Sequence, residues 1–336
     1  MVPAKQKYAT THNLCLCKKT TSRRVGKKRK KPFSVQKKKK ANLMGENGCL
    51  EVTSEIYTET NFRSSKTKNG TTISHFSFVY PVDHSDDGEV KDSLKQSIID
   101  ADGDLIVERR RREVIQIEHQ QSTNLLLVGL QVWRGALLLA DFLLHNRWKF
   151  ESKHILELGS GVGLTSIAAG IFSKTDIVCT DIDLGGILNV VKSNVELNKR
   201  LINNQAKVKV MELDFKKSIW SDDLKNAVLK SNIIIAADVI YDNSITDGFV
   251  ETLERILNVN DLNRSKDKVV YIALEKRYVF TLADLDTMAP CYEYFLQRIN
   301  EARKTIDWKL EPVDIDFPQY FDYERSKELI IMKLYV

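Results

Sequence analysis

Gly159, Gly161 and Gly163 stand at alternate positions in the run HILELGSGVGLTSI at 154–167. An apolar stretch leads into them and a helical pattern follows at once. Glycines let a backbone turn sharply and let a ligand approach to contact distance. The N-terminus of the following helix offers unpaired N–H groups to a carboxylate or a phosphate. Asp181 closes the next strand, where doubly wound folds hold an acidic side chain against ribose hydroxyls. Spacing separates the ligand classes that share this layout. A dinucleotide fingerprint, G-x-G-x-x-G, would need a glycine at 164, where this chain has Leu164. The run is instead G-x-G-x-G around Ser160, with Glu157 two positions ahead. A pyrophosphate disfavours a carboxylate beside its loop, whereas a ligand carrying an amino group and a sulfonium tolerates one.

Three further places could do chemistry. A later strand ends in AADVIYD at 236–242, and the carboxyl ends of parallel strands are where ligands sit. Ala237 lies at that end, and Asp238 and Tyr241, three apart, can both face a pocket there. Two readings fit Asp214: an acidic group for an adenine amino group, or a plain turn residue. Two also fit Trp133, a pocket wall or simple core. The five cysteines, at 15, 17, 49, 179 and 291, have neither zinc-site nor disulfide spacing. No metal site is expected, and a reducing compartment is.

These residues need a frame. Apolar β-branched runs recur at 154–158, 177–180, 208–213, 233–237, 269–274, 308–313 and 329–334. Helical patterns at 164–172, 184–201, 245–258 and 282–304 lie between them. The alternation predicts an α/β domain over 125–336, with a mainly parallel seven-strand sheet and helices on both faces. The apolar stretch 125–144 contains Gln131, Arg134 and Asp141, so it reads as a buried helix with its lead-in rather than a membrane span. Ahead of this domain, 71–124 reads as an extension with short strands: TTISHFSFVYPV at 71–82 alternates like a strand, and LIVERRRREVIQIEH at 105–119 reads as a hairpin or extended pair. The arginines at 109–112 have the types to grip a phosphate or an acidic partner, and the first reading of such a run is a solvated turn.

Residues 1–70 are rich in Lys, Thr, Ser and Asn and show little periodicity, which predicts a mostly disordered basic arm. The first 40 residues hold 15 of the 51 Lys and Arg and no Asp or Glu, leaving 36 basic against 45 acidic residues in the rest, about −9. The clusters at 27–31 and 37–40 have the spacing of a bipartite nuclear-import signal, and contact with nucleic acid is the second reading of the arm. The acidic body, including Asp214, Asp238, Asp242 and 83–104, would attract a cationic substrate.

The E-x-G-x-G-x-G loop, D-x-x-Y at 238–241, Val132-Trp133, Leu213-Asp214 and EKR at 275–277 together resemble the non-SET protein-lysine methyltransferases of the seven-strand class. The resemblance covers roughly 125–336. It implies a Rossmann-like methyltransferase sheet with an antiparallel last strand. It implies S-adenosyl-L-methionine as cofactor, held by Trp133, Glu157, Gly159, Ser160, Gly161, Gly163, Asp181, Asp214 and Ala237. Asp238 would orient the amine and Tyr241 would line the channel or accept a hydrogen bond. It further implies a nuclear enzyme modifying lysine on a protein; a monomer with no membrane partner is expected. For one relative within that family, the implied substrate is Kin, a zinc-finger nucleic-acid-binding protein. Many members have Pro-Ala where this chain has Arg134-Gly135. A methyltransferase acting on another protein residue or on RNA, and a non-catalytic nuclear scaffold, remain as alternatives. Enzymes acting on planar base amines commonly carry a proline-containing turn that stacks on the flipped base, and no proline occurs between 154 and 289.

Overall fold

A computed structural model describes residues 51–59, 62–81, 111–257, 268–281 and 286–336. The basic clusters, the acidic segment 83–104, Arg109 and Arg110 lie outside the described residues. In chain order the elements begin with β1 (Glu51–Val52), α1 (Ile56–Glu59), β2 (Arg63–Lys66), β3 (Thr72–Val79), β4 (Arg112–His119) and β5 (Thr123–Asn124). A 3-10 segment, Leu125–Leu130, leads to α2 (Arg134–His145) and α3 (Arg147–Phe150). Then come β6 (Ile155–Leu158), α4 (Leu164–Phe172), β7 (Ile177–Asp181), α5 (Ile187–Leu197), β8 (Val208–Glu212) and α6 (Asp222–Lys230). β9 (Ile233–Ala237), α7 (Asn243–Leu257), β10 (Val269–Glu275), β11 (Val279–Thr281) and β12 (Asp286–Met288) follow. α8 (Pro290–Ala302), β13 (Lys309–Val313) and β14 (Leu329–Tyr335) close the chain.

The seven expected strands form one sheet in the order β13-β14-β10-β9-β6-β7-β8. The five strands from β10 to β8 are parallel, and β14 runs antiparallel between β10 and β13. Strands β6 and β7 are buried along their whole length, as expected of strands covered on both faces. One apolar layer joins α2 and α4 to the sheet through Leu137, Leu138, Ile167 and Ile235. The other joins α7 and α8 to it through Phe249, Leu253, Phe295 and Ile234.

The structure corrects three expectations. The arm does not extend to residue 70. β1 pairs with β5, β2 pairs with β3, and Ile56 is fully buried. These short elements have too few residues to show a period, and β1 finds its partner far along the chain. The extension is also not separable, because Phe76, Phe78, Ile115 and Ile117 belong to the same core as α2 and α4. The helical pattern at 282–304 begins only at Pro290, the residue whose missing N–H suits a first helical turn; β11 and β12 pair before it. α6 carried no clear pattern because only Leu224 and Val228 are buried in it, and Ser221 caps it by accepting from Leu224 N.

Two asparagines dock the extension. Asn194 Oδ1 accepts from Glu118 N and its amide donates to Glu118 O, while Asn198 does the same with Gln116 N and O. Four residues of helix and two of strand both advance about 6–7 Å, so α5 can offer the edge of β4 a row of side-chain amides in register. On the other side of the sheet's α2 layer, fully buried Asp141 accepts from Tyr320 N, Phe321 N, the Tyr323 hydroxyl and the Arg325 guanidinium. That carboxylate ties the loop between β13 and β14 to α2.

Candidate active site

Two neighbouring cavities open at the carboxyl ends of β6, β7 and β9. The first, about 120 Å3, is bounded by Gly159–Val162, Asp181, Asp214 and Ala237 on one side and by Leu126–Trp133 on the other. The second, about 200 Å3, lies between Glu51–Glu55 and the ends of β9 and β10. Val128, Trp133, Asp238 and Tyr241 border both.

Of the expected cofactor residues, Trp133, Gly159, Ser160, Gly161, Asp181, Asp214 and Ala237 line the first cavity, and Glu157 and Gly163 do not. Glu157 is 1% exposed and accepts a hydrogen bond from Ser166 Oγ behind the loop. It braces the start of α4 against β6. Gly163, at φ +85°, is the N-cap of α4 and packs toward Val191. Trp133 borders both cavities, and its indole N–H donates to Val128 O at 3.0 Å. Asp214 Oδ1 accepts from Lys216 N, so it is both a turn residue and a wall residue.

The 3-10 segment is what sequence reasoning missed. Gly129 comes so close to the loop that a Cβ on Gly161 would stand 2.9 Å from Gly129 O. With Leu127, Ile182, Leu213, Phe215 and Ile245 it completes an apolar sleeve. The signal that could have found it is Gly129 itself, a glycine inside an apolar run.

Asp181 Oδ2 accepts from Gly161 N and Oδ1 from Ile182 N, both at 2.7 Å. Burial pushes its carboxyl up to about 6, against the downward pull of those two bonds. Burial likewise pushes Glu157 up to about 7, against its bonds from Ser166 and Thr165.

Asp238 is not free in the way expected. It has φ +52°, the one positive value at a non-glycine among the described residues. Its Oδ2 accepts from Gly135 N at 2.7 Å and its Oδ1 from Glu275 N at 3.0 Å. Burial raises its pKa, opposed by the neighbouring Arg277. A Cβ on Gly135 would lie 2.6 Å from Asp238 Oδ2, which explains glycine at that position. Arg134 points the other way, buried and paired with Glu59, Glu275 and Glu324. Among the described residues the Tyr241 hydroxyl has no hydrogen-bond partner, and burial raises its pKa. The geometry therefore gives Asp238 the task of holding the shared wall and leaves Tyr241 available to a ligand.

A glycine loop faces an acidic strand end and stands beside a second, acidic cavity. The lysine methyltransferase family model covers residues 110–298. The chain belongs to the lysine methyltransferase family. It is 36% identical over 260 residues to methyltransferase-like protein 22 of Mus musculus, covering 72% of this chain and 64% of that protein. Its human counterpart is 34% identical over 268 residues, 74% of this chain and 65% of the relative. The protein-lysine N-methyltransferase EEF2KMT of Mus musculus is 29% identical over 221 residues, 61% of this chain and 58% of the relative. The chain thus spans a little under two thirds of the curated relatives it matches.

The first cavity fits S-adenosylmethionine. The apolar sleeve suits a flat base, Asp181 suits a ribose and Asp214 stands at the next strand end. Asp181 can accept ribose hydroxyls as well as its two N–H donors only while ionised. Its protonation replaces an acceptor by a donor among donors. Cofactor affinity is therefore expected to be level above pH 7 and to fall as pH drops through about 6, the folded-state value for Asp181. Calorimetric titrations between pH 5 and 8 check this, and an affinity that rose on acidification would refute the assignment.

Proposed function

We propose that the protein is an S-adenosylmethionine-dependent protein-lysine N-methyltransferase of the nucleus. The observation that carries this reading is the common wall of Val128, Trp133, Asp238 and Tyr241, across which a donor in one cavity and an amine in the other would meet. Bound in the first cavity, the cofactor supplies an electrophilic methyl group on a sulfonium. The chain's own part is to prepare the amine. Lysine has a reference pKa near 10.4 and must lose a proton to attack. A cavity that strips water favours the neutral form, and the proton leaves to solvent at the mouth. The Tyr241 hydroxyl can then accept an N–H of the amine and aim its lone pair at the methyl carbon. With the cofactor bound, transfer would form the C–N bond as the C–S bond breaks, in line. Alignment at about 3 Å, rather than a strong base, supplies most of the acceleration.

Nuclear residence rests on the basic clusters at 27–31 and 37–40, and Kin is the first substrate to try. Incubation with radiolabelled cofactor and nuclear lysate, and separately with recombinant Kin, is expected to label a lysine in a protease-sensitive, nuclease-resistant product. Nuclease-sensitive label would overturn the reading in favour of RNA. Deletion of residues 1–40 is expected to leave transfer to a short peptide intact and to move the protein out of the nucleus, which imaging in cells checks.

A further inference from the structure

The stretch Glu51–Glu55 lies outside the residues matched by the family model, yet it forms one side of the second cavity. It is fixed there. β1 pairs with β5, Ser54 N donates to Gln131 Oε1 at 2.9 Å, and Gln131 Nε2 donates to Val52 O at 2.9 Å. Gln131 also lines the cofactor cavity, so one side chain joins that cavity's wall to the stretch.

The charge of the second cavity is one-sided. Glu51, Glu55, Asp238, Asp242 and Glu275 border it against a single cation among its lining residues, Arg277. Arg277 is engaged from several sides: with Glu55 at 3.1 Å, with Glu275 at 3.6 Å, and over the Trp133 ring at 5.0 Å. The acidic residues still have unmet capacity. Glu275 is nine-tenths buried, and its Oε2 has the Arg277 guanidinium at 3.6 Å but no hydrogen bond; the buried Oε2 of Glu55 has no hydrogen bond either. Buried carboxylate oxygens are costly without donors, and these two edge one cavity. Leu125, Ile240 and Leu274 supply apolar surface between them, and Tyr292 supplies an aromatic rim. A long aliphatic stem that ends in N–H donors meets both requirements. A single such stem, neutral when it reacts, does not account for Glu51, which is exposed at the outer edge.

We propose that Glu51–Glu55 completes the acceptor site and selects a lysine with a second cationic side chain beside it. The target lysine fills the cavity, its stem on Leu274 and Ile240, and the neighbouring cation pairs with Glu51 at the rim. Glu55 holds Arg277 against Trp133 and offers its second oxygen to the entering chain. The substrate class is a basic segment of a protein. This inference rests on the methyl-transfer reading above, and its test is separable from it.

The test uses the full chain and the paired substitution Glu51→Gln with Glu55→Gln. Glutamine keeps an acceptor for Arg277. A control pair, Asp223→Asn with Glu251→Gln, removes the same charge from exposed positions on α6 and α7. Binding of fluorescein-labelled hexalysine is read by anisotropy without cofactor, and S-adenosylmethionine binding by calorimetry. Hexalysine affinity is expected to fall about tenfold in the first pair, the sum of two ordinary charge contacts, and less than about twofold in the control. Cofactor affinity should be unchanged in both. Equal weakening in the two pairs, or none in the first, would overturn the proposal. Should the pair not fold, Glu51→Gln alone, at an exposed site, carries the same comparison with a smaller shift. Hexalysine binding involves no transfer, so a protein that binds it through Glu51 and Glu55 yet labels no lysine would sink the methyl-transfer reading and leave the lysine-binding wall standing.

Discussion

Replacing Gly161 by valine is expected to abolish S-adenosylmethionine binding, lowering affinity beyond about 100-fold, or more than ~2.7 kcal/mol. Two causes add. Gly161 sits at φ +55°, where a side chain other than glycine costs about 1–2 kcal/mol and a β-branched one more. A Cβ would also stand 2.9 Å from Gly129 O, 3.7 Å from Gly129 C and 3.8 Å from Gln131 O, all of them backbone. No rotamer relieves contact with backbone, so the 3-10 segment must retreat. That segment is the far wall of the cofactor cavity. Gly161 N would also leave Asp181, its partner at 2.7 Å. The glycine is thus required by a neighbouring stretch of the protein, and its loss spoils the cavity by moving a wall. Calorimetry on a variant whose far-ultraviolet circular dichroism matches that of the parent is the check. Unchanged affinity would remove the loop from the cofactor site.

The second large effect concerns Asp238. Asp238→Asn is expected to destabilise the fold by roughly 2–4 kcal/mol, because one of two buried backbone N–H groups loses a charged acceptor and meets an N–H donor instead. The two groups are Gly135 N, at the start of α2, and Glu275 N, at the end of β10. Arg277 loses an anionic neighbour at the same time. Since α2 and β10 carry Trp133 and Arg277 at their ends, kcat should fall with stability, while cofactor affinity falls less. Urea denaturation measures the first and steady-state kinetics the second. A variant of parental stability whose kcat alone collapsed would return Asp238 to direct contact with the amine. Tyr241→Phe is the useful contrast, since its hydroxyl has no protein partner to lose among the described residues.

Much of this architecture could be read from local pattern. β9 spans the residues its apolar run predicts, and the remaining strands of the sheet differ from theirs by a residue or two at an end. α4 begins at Leu164 directly after the third glycine of the loop. These features are local: a run of β-branched residues, a glycine turn and a helical period each sit within a dozen residues. Asp181 was legible for the same reason, since a strand end after a glycine loop has one place in a doubly wound sheet.

What the tertiary structure alone decided is where side chains point and which distant segments meet. Glu157 and Gly163 belong to the motif by spacing but do not line the cavity: Glu157 faces Ser166 behind the loop, and Gly163 caps α4. In a strand buried on both faces, alternation does not tell which face meets the ligand. Asp238 was legible as a residue at a strand end. Its work was not, because the groups it holds are 103 and 37 residues away. The second cavity was invisible for a related reason. Glu51–Glu55 has too few residues for a period, and it is held in place by β5 and by the Gln131 amide. Neighbours in the chain are enough to set the sheet, the loop and the acidic strand end that faces it. The walls that make two adjoining cavities were decided by contacts between segments whose separation no local pattern records.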